Sequence, residues 1–153
     1  MPDPRQQSPM DRAFAEAEAA AARGEVPVGA VIVCNDRGVV ASAGNRTLEW
    51  RDPTAHAEMI AIREACRVMG SERLPECDIY VTLEPCTMCA AAISFARLRR
   101  LYFAAYDPKA GAVENGVCFF AQPTCHHAPE VYGGIAETRA RDLLQGFFKR
   151  LRD

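Results

Sequence analysis

Two short strings in this chain bring together side chains capable of metal and acid–base chemistry. They are Thr54-Ala55-His56-Ala57-Glu58 and Pro85-Cys86-Thr87-Met88-Cys89. Cys86 and Cys89 stand at i and i+3, so a helix would carry both sulfurs on one face. A helix that opens at Cys86 also turns its positive end toward them, which favours thiolates. Two thiolates and the His56 imidazole form a three-ligand set for Zn2+; their charges balance the ion and the fourth position stays open for water. Structural zinc takes four protein ligands, so the open position points to catalysis. Glu58 lies two residues beyond His56. In mid-helix the two side chains would diverge. In the first turn, a carboxylate can instead stand beside the metal's open side and pass a proton from water to a substrate nitrogen. A lone C-x-x-C or H-x-E says little. Both at helix starts are a specific signal for His56, Cys86 and Cys89 as zinc ligands and Glu58 as the acid/base. The other candidates, Cys34, Cys66, Cys77, Cys118, Cys125, His126 and His127, make no matching pair with that helix, and Cys125-His126-His127 reads as solvated loop.

These strings need a scaffold that sets two helix starts side by side. Ser8-Pro9, followed by Met10-Asp11, has the capping hydroxyl, first-turn proline and early acid of a helix start. The Ala- and Glu-rich run to Arg23 continues it and Gly24 stops it. Val28–Cys34 reads as a buried strand, Asn35-Asp36-Arg37-Gly38 as a turn and Val39–Gly44 as the hairpin partner. After a loop to Thr54, the spacing of Met59, Ile62, Cys66 and Met69 predicts a helix over Ala55–Met69, ended by Gly70. Asp78–Leu83 reads as a strand, Cys86–Ala96 as a helix and Leu101–Ala104 as a strand. Tyr106–Pro129 is broken repeatedly by Pro and Gly and gives no clear element. Glu130–Tyr132 reads as a short strand, and Ile135–Leu151 as a last helix with Leu143, Leu144 and Phe147 facing the core. This order predicts an α/β domain, one mixed sheet with helices on its faces.

The chain has 153 residues, enough for a single domain over 1–153 with residues 1–8 as a flexible tail. It is 49% hydrophobic and 25% charged, which excludes a disordered, collagen-like or coiled-coil chain. No apolar run of about 18 residues is present, so no membrane span is expected. The first ten residues lack an apolar h-region, so no secretory signal is expected. With seven cysteines and no such signal, a complete disulfide framework is not expected; the thiols read as core residues or ligands in a reducing, cytoplasmic setting. The net charge of -2 argues against non-specific coating of nucleic acid, but the charge is uneven. Residues 1–93 carry 9 basic and 14 acidic side chains, whereas residues 94–153 carry 9 and 6. Most of the basic residues are Arg, which suits bidentate phosphate contact.

At the two strings, and over most of its length, the chain resembles the cytidine deaminase superfamily and, within it, the bacterial tRNA-specific adenosine deaminases. The resemblance runs through Glu25-Val26-Pro27-Val28-Gly29-Ala30-Val31, Gly44-Asn45-Arg46 and Asp52-Pro53-Thr54-Ala55-His56-Ala57-Glu58. It continues through Tyr80-Val81-Thr82-Leu83-Glu84-Pro85-Cys86-Thr87-Met88-Cys89, Asp107-Pro108-Lys109-Ala110-Gly111-Ala112 and Phe147-Phe148. It departs at Tyr106, Ala110 and the segment 116–127. The resemblance implies a three-layer α/β/α fold around a mixed five-stranded sheet. It also implies one Zn2+ per chain on His56, Cys86 and Cys89, Glu58 as general acid/base, and hydrolytic attack at C6 of the wobble adenine of a tRNA anticodon loop, giving inosine and ammonia. Asn45 would hydrogen-bond the flipped base with Val28 packed beside it. Asp107, Lys109 and Phe148 would contact the flanking nucleotides of the anticodon stem-loop, and the chain would form a homodimer.

Part of this follows from general chemistry. The attacked carbon is hidden until the base leaves its stack. Single strands are read by aromatic stacking and phosphate contacts, and Phe148 lies beside Lys149, Arg150 and Arg152. Two other readings use the same residues: a deaminase of a free base or nucleoside, such as guanine or cytosine, and a non-catalytic zinc module that binds RNA. The second requires a fourth protein ligand and has no need of Glu58.

Overall fold

The computed structural model of the protein describes residues 7–152. Five strands form one mixed sheet in the order β2-β1-β3-β4-β5. They are β1 (Gly29–Cys34), β2 (Gly38–Gly44), β3 (Cys77–Leu83), β4 (Arg100–Ala105) and β5 (Glu130–Tyr132). β1 runs antiparallel to both β2 and β3, while β3, β4 and β5 run parallel. The helices are α1 (Pro9–Ala22), α2 (Ala57–Met69), α3 (Thr87–Phe95) and α4 (Glu137–Arg152).

The alternation of side chains along a strand sorts the core into two layers. Ala30 and Ile32 of β1 face a core that includes Ala57, Ala61 and Ala65 of α2 and Ala90 and Ile93 of α3. Val31 faces the opposite side, with Phe14 of α1 and Ala140 of α4. The fold is therefore a three-layer α/β/α sandwich around a mixed five-stranded sheet, as expected. Among the described residues no helix is long and apolar enough to cross a membrane.

Several local expectations shift. The Ser8 hydroxyl caps α1 by accepting from Asp11 N at 3.1 Å, so Ser8 is part of the helix start; the rest of the expected tail, except Gln7, lies outside the described residues. α2 begins at Ala57, because His56 is extended and serves as its N-cap. Its buried stripe is Ala57, Ala61, Ile62 and Ala65, while Met59, Cys66 and Met69 are half-buried. Small side chains let the helix lie close on the sheet, so that of the four positions the helical spacing marks, Ile62 alone is buried. α4 begins at Glu137, since Ala136 takes a left-handed φ of 66°. The 106–129 segment contains a single short 3-10 turn, Phe119–Ala121. Cys34 and Cys77 face each other in the β1–β3 register with Cα atoms 4.1 Å apart and are joined by a disulfide. They are therefore neither free core thiols nor ligands; their pairing is set by strand register, which spacing along the chain does not show. The other five cysteines are free.

Candidate active site

The sheet topology gathers the site at one end. Because β1 is antiparallel to β2 and β3, Gly29 pairs with Gly44 and Ala30 with Val81, and in the parallel pair Leu83 lies beside Ala105. Val28, Asn45, Glu84 and Asp107 therefore emerge at the same edge from four different strands. The N-termini of α2 and α3 point to this edge as well.

Local turns deliver the donors. Asp52 Oδ1 accepts from Thr54 N at 2.8 Å and Thr54 Oγ1 at 2.7 Å, folding the chain into His56. His56 O then takes the first helical bond of α2, from Ile60 N at 3.1 Å. Cys86 stands in the same position for α3, accepting from Ala90 N at 2.8 Å, with Cys89 one turn in and buried. His56 Nδ1 lies 3.6 Å from Cys86 Sγ and 3.5 Å from Cys89 Sγ. A tetrahedral zinc with nitrogen at about 2.0 Å and sulfur at about 2.3 Å has N–S edges of about 3.5 Å, so this donor set fits the ion. Among the described residues no other His, Cys, Asp or Glu joins this group, as an open catalytic site requires and a closed structural one does not.

The two sulfurs are driven in opposite directions. The Cys86 thiol is pulled down to about 4, chiefly by a hydrogen bond from Cys89, against the effect of burial and with help from His56. Cys89 is pushed up, by that same bond and by burial. His56 is raised mainly by its hydrogen bond with Cys86. Glu58, 4% exposed in the first turn of α2, is raised above the usual carboxylate range by burial.

His56, Glu58 and Cys86 line a cavity of about 280 Å³ whose other walls include Val28, Asn45, Thr47 and Asp107. Asn45 is 7% exposed, and its amide nitrogen donates to Thr47 Oγ1 at 3.4 Å. Cys89 sits behind the cavity, within the protein. Lys109 and Phe148 are not in this cavity. They line an adjoining groove of about 980 Å³ between α4 and the 106–110 segment, together with Arg141, Leu144, Leu151 and Arg152. Leu144 therefore belongs to the groove and is half-buried, contrary to the expected core position, while Phe147 is buried and Leu143 packs toward α1. The Asp107 carboxylate caps its own turn, accepting from Lys109 N and Ala110 N at 3.1 Å each. Cys125 and His127 are tied into the chain: Cys125 Sγ donates to His127 O at 3.1 Å, and His127 Nε2 lies 2.8 Å from Leu98 O.

The model of the cytidine and deoxycytidylate deaminase zinc-binding region matches residues 4–105, a stretch that holds all three donors and Glu58. The chain belongs to this deaminase family. Zn2+ is the cofactor that the family and the donor group call for. Within the family, this deaminase is 62% identical to the tRNA-specific adenosine deaminase of Agrobacterium fabrum, over 94% of its own length and 93% of the relative's. It matches a solved structure from studies of A-to-I editing by tRNA:A34 deaminases with a TM-score of 0.86 and 62% identity, over 89% of this chain and 98% of that one. It matches the guanine deaminase of Bacillus subtilis more distantly, with a TM-score of 0.63 and 32% identity over 92% of each chain.

The sequence patterns do not single out Thr47, Glu84 or the groove residues Arg141 and Leu151, whereas Arg152, named beside Phe148, does line the groove. Glu84 directly precedes Pro85-Cys86. An acid between an apolar strand and Pro85-Cys86 was the available signal, and its partners lie more than twenty residues away.

Proposed function

We propose that the protein hydrolyses the wobble adenosine of a tRNA anticodon loop to inosine, with one zinc ion held by His56 Nδ1, Cys86 Sγ and Cys89 Sγ. The observation that carries this reading is the pairing of two spaces. A small cavity with Glu58 beside a three-donor group opens onto a groove lined by Lys109, Arg141, Arg152 and Phe148. Zinc in such a set supplies Lewis acidity toward an oxygen nucleophile near neutral pH. Glu58 takes a proton from the attacking water and passes it to the substrate nitrogen. A bond forms between that oxygen and C6, the C6–N bond breaks, and ammonia leaves. Asn45 hydrogen-bonds the extruded base and Val28 packs on it, replacing the stacking lost on flipping. Asp107, Lys109 and Phe148 contact the nucleotides beside the target, the first two by polar contacts and Phe148 by stacking.

The basic end of α4, Lys149, Arg150 and Arg152, supports a polyanionic substrate. The relative from Agrobacterium fabrum is named for action on tRNA, which supports the same reading. We place the protein in the cytoplasm with its tRNA substrate. We also read it as a homodimer, which agrees with the large exposed apolar residues Leu48, Trp50 and Phe95. The similarity to guanine deaminase keeps a free-base substrate as the alternative. One assay separates the two: inosine formation on an anticodon stem-loop with wobble adenine, against ammonia release from guanine, cytosine and adenine. Turnover of the stem-loop is expected; turnover of free bases alone would overturn the proposal.

A further inference from the structure

Glu84 takes no part in the chemistry above. It is 2% exposed and follows directly on β3, two residues before Cys86. Among the described residues its carboxylate accepts hydrogen bonds only from the segment 107–115 that packs over it. Oε1 accepts from Asp107 N at 2.9 Å and Asn115 Nδ2 at 2.6 Å. Oε2 accepts from Val113 N at 3.0 Å, Glu114 N at 2.9 Å and Asn115 N at 3.1 Å. Neutral N–H groups thus meet a buried charge, and in return the carboxylate satisfies the backbone of a loop that has no regular structure. The fit is tight: a Cβ at Gly111 would lie 2.5 Å from Glu84 Cδ and 2.5 Å from Asp107 O. Ala112 N donates to Pro85 O at 2.9 Å and fastens the same loop one residue further along. The first residues of this loop are Asp107 and Ala110, which line both spaces, and Lys109, which lines the groove.

We propose that Glu84 is a positioning residue for substrate recognition: it holds the 107–115 loop, and through it Asp107, Lys109 and Ala110, in the arrangement that receives the RNA flanking the target base. This rests on the reading of the groove as the RNA site. Neither an apolar residue nor glutamine can replace the carboxylate. The first leaves the loop N–H groups buried without acceptors, and the second sets an NH2 donor against donors on whichever side it is placed. Because the loop meets substrate away from the reacting atoms, loosening it removes binding common to ground and transition states, and the loss falls on KM.

The experiment compares wild type, Glu84→Gln and Asn115→Asp. The last sets a second carboxylate against Glu84 from the loop side and leaves β3 intact. Three quantities are read: zinc per chain, kcat and KM on an anticodon stem-loop, and amide hydrogen exchange at 107–115. Slow exchange at Val113, Glu114 and Asn115 is expected in wild type, with faster exchange in both variants. Both variants should keep one zinc per chain and kcat within about twofold, while KM rises about tenfold. KM within about twofold of wild type in both would overturn the positioning role. Zinc loss with a matching fall in kcat would overturn it too, by assigning Glu84 to the metal site. If Glu84→Gln does not fold, Asn115→Asp decides alone. A wild type that makes no inosine would overturn the reading of the groove instead, a result distinct from an active wild type with unaffected variants.

Discussion

The two walls of the cleft are built differently. The wall that holds the donors consists of helix starts: His56 and Cys86 are N-caps, Glu58 and Cys89 lie in first turns, and alanines pack both helices against the sheet. The facing wall is an irregular loop hung on one carboxylate, together with a helix, α4, that leaves Phe148 and Leu151 largely exposed. On the assignment proposed above, chemistry rests on stiff elements whose geometry is set within a few residues, and recognition on segments held by long-range polar anchors. Damage to the first wall should appear in metal content and kcat, and damage to the second in KM.

The sharpest way to break this comparison is to remove a donor. Cys89 is 0% exposed and contributes to the group from inside the protein. Cys89→Ala is expected to reduce zinc from one per chain to less than about a tenth and to abolish inosine formation, because a two-ligand set binds the ion weakly. Elemental analysis of the purified variant checks this; one equivalent of retained zinc would remove Cys89 from the ligand set. Glu58→Ala comes next. It should keep its zinc, hold KM near the wild-type value and lose about 10²- to 10⁴-fold in kcat, the usual worth of a positioned general acid/base. Turnover at the wild-type rate would show that another group moves the proton.

The same contrast explains what could be read along the chain. His56, Glu58, Cys86 and Cys89 were legible because their relation is local: each pair sits within one turn of a helix start, and spacing encodes it. A mixed sheet with helices on its faces was legible from the order of the elements. The placement of Lys109 and Phe148 in a shared groove was beyond any local pattern, because it depends on α4 crossing back to the end of β4. The Cys34–Cys77 pairing and the Glu84 anchor share this character, with partners brought together by sheet register and loop return. Leu144 shows the cost of judging by hydrophobicity alone: an apolar residue on α4 can line a binding groove as readily as a core.

The recognition wall can be probed with smaller effects. Phe148 is 43% exposed beside Arg141 and Arg152, which suits a base stacked on its ring. Phe148→Ala should raise KM for the stem-loop by roughly tenfold, within the range of about 1–3 kcal/mol that base–aromatic stacking contributes. Zinc content and melting temperature should change little, because Phe147, its buried neighbour, supplies the packing. A fall in kcat with KM unchanged would place Phe148 nearer the chemistry than the groove allows.

The smallest effect tests how α4 itself is held. Arg139 donates to Asp11 Oδ1 at 2.9 Å and lies 4.0 Å over the Phe14 ring, joining α4 to α1. The Arg139 hydrogen bond, with help from the Ser8 hydroxyl, lowers Asp11 below its ordinary value of 3.8. A carboxylate whose pKa is depressed on folding stabilises the fold above the unfolded value, and that stabilisation is lost as pH falls through the folded value. Both side chains are about half exposed, 49% and 50%, so solvent screens the pair and the contribution is at most about 1 kcal/mol. Asp11→Asn should therefore melt slightly below wild type at pH 7, and the gap should close below pH 3.8 and shrink in high salt. Zinc content should not move, since the donors rest on α2 and α3 across the sheet from this contact. A stability gap that persisted in acid would show that Asp11 acts as a helix cap or through packing and not through its charge; loss of zinc would show that the two walls are not independent.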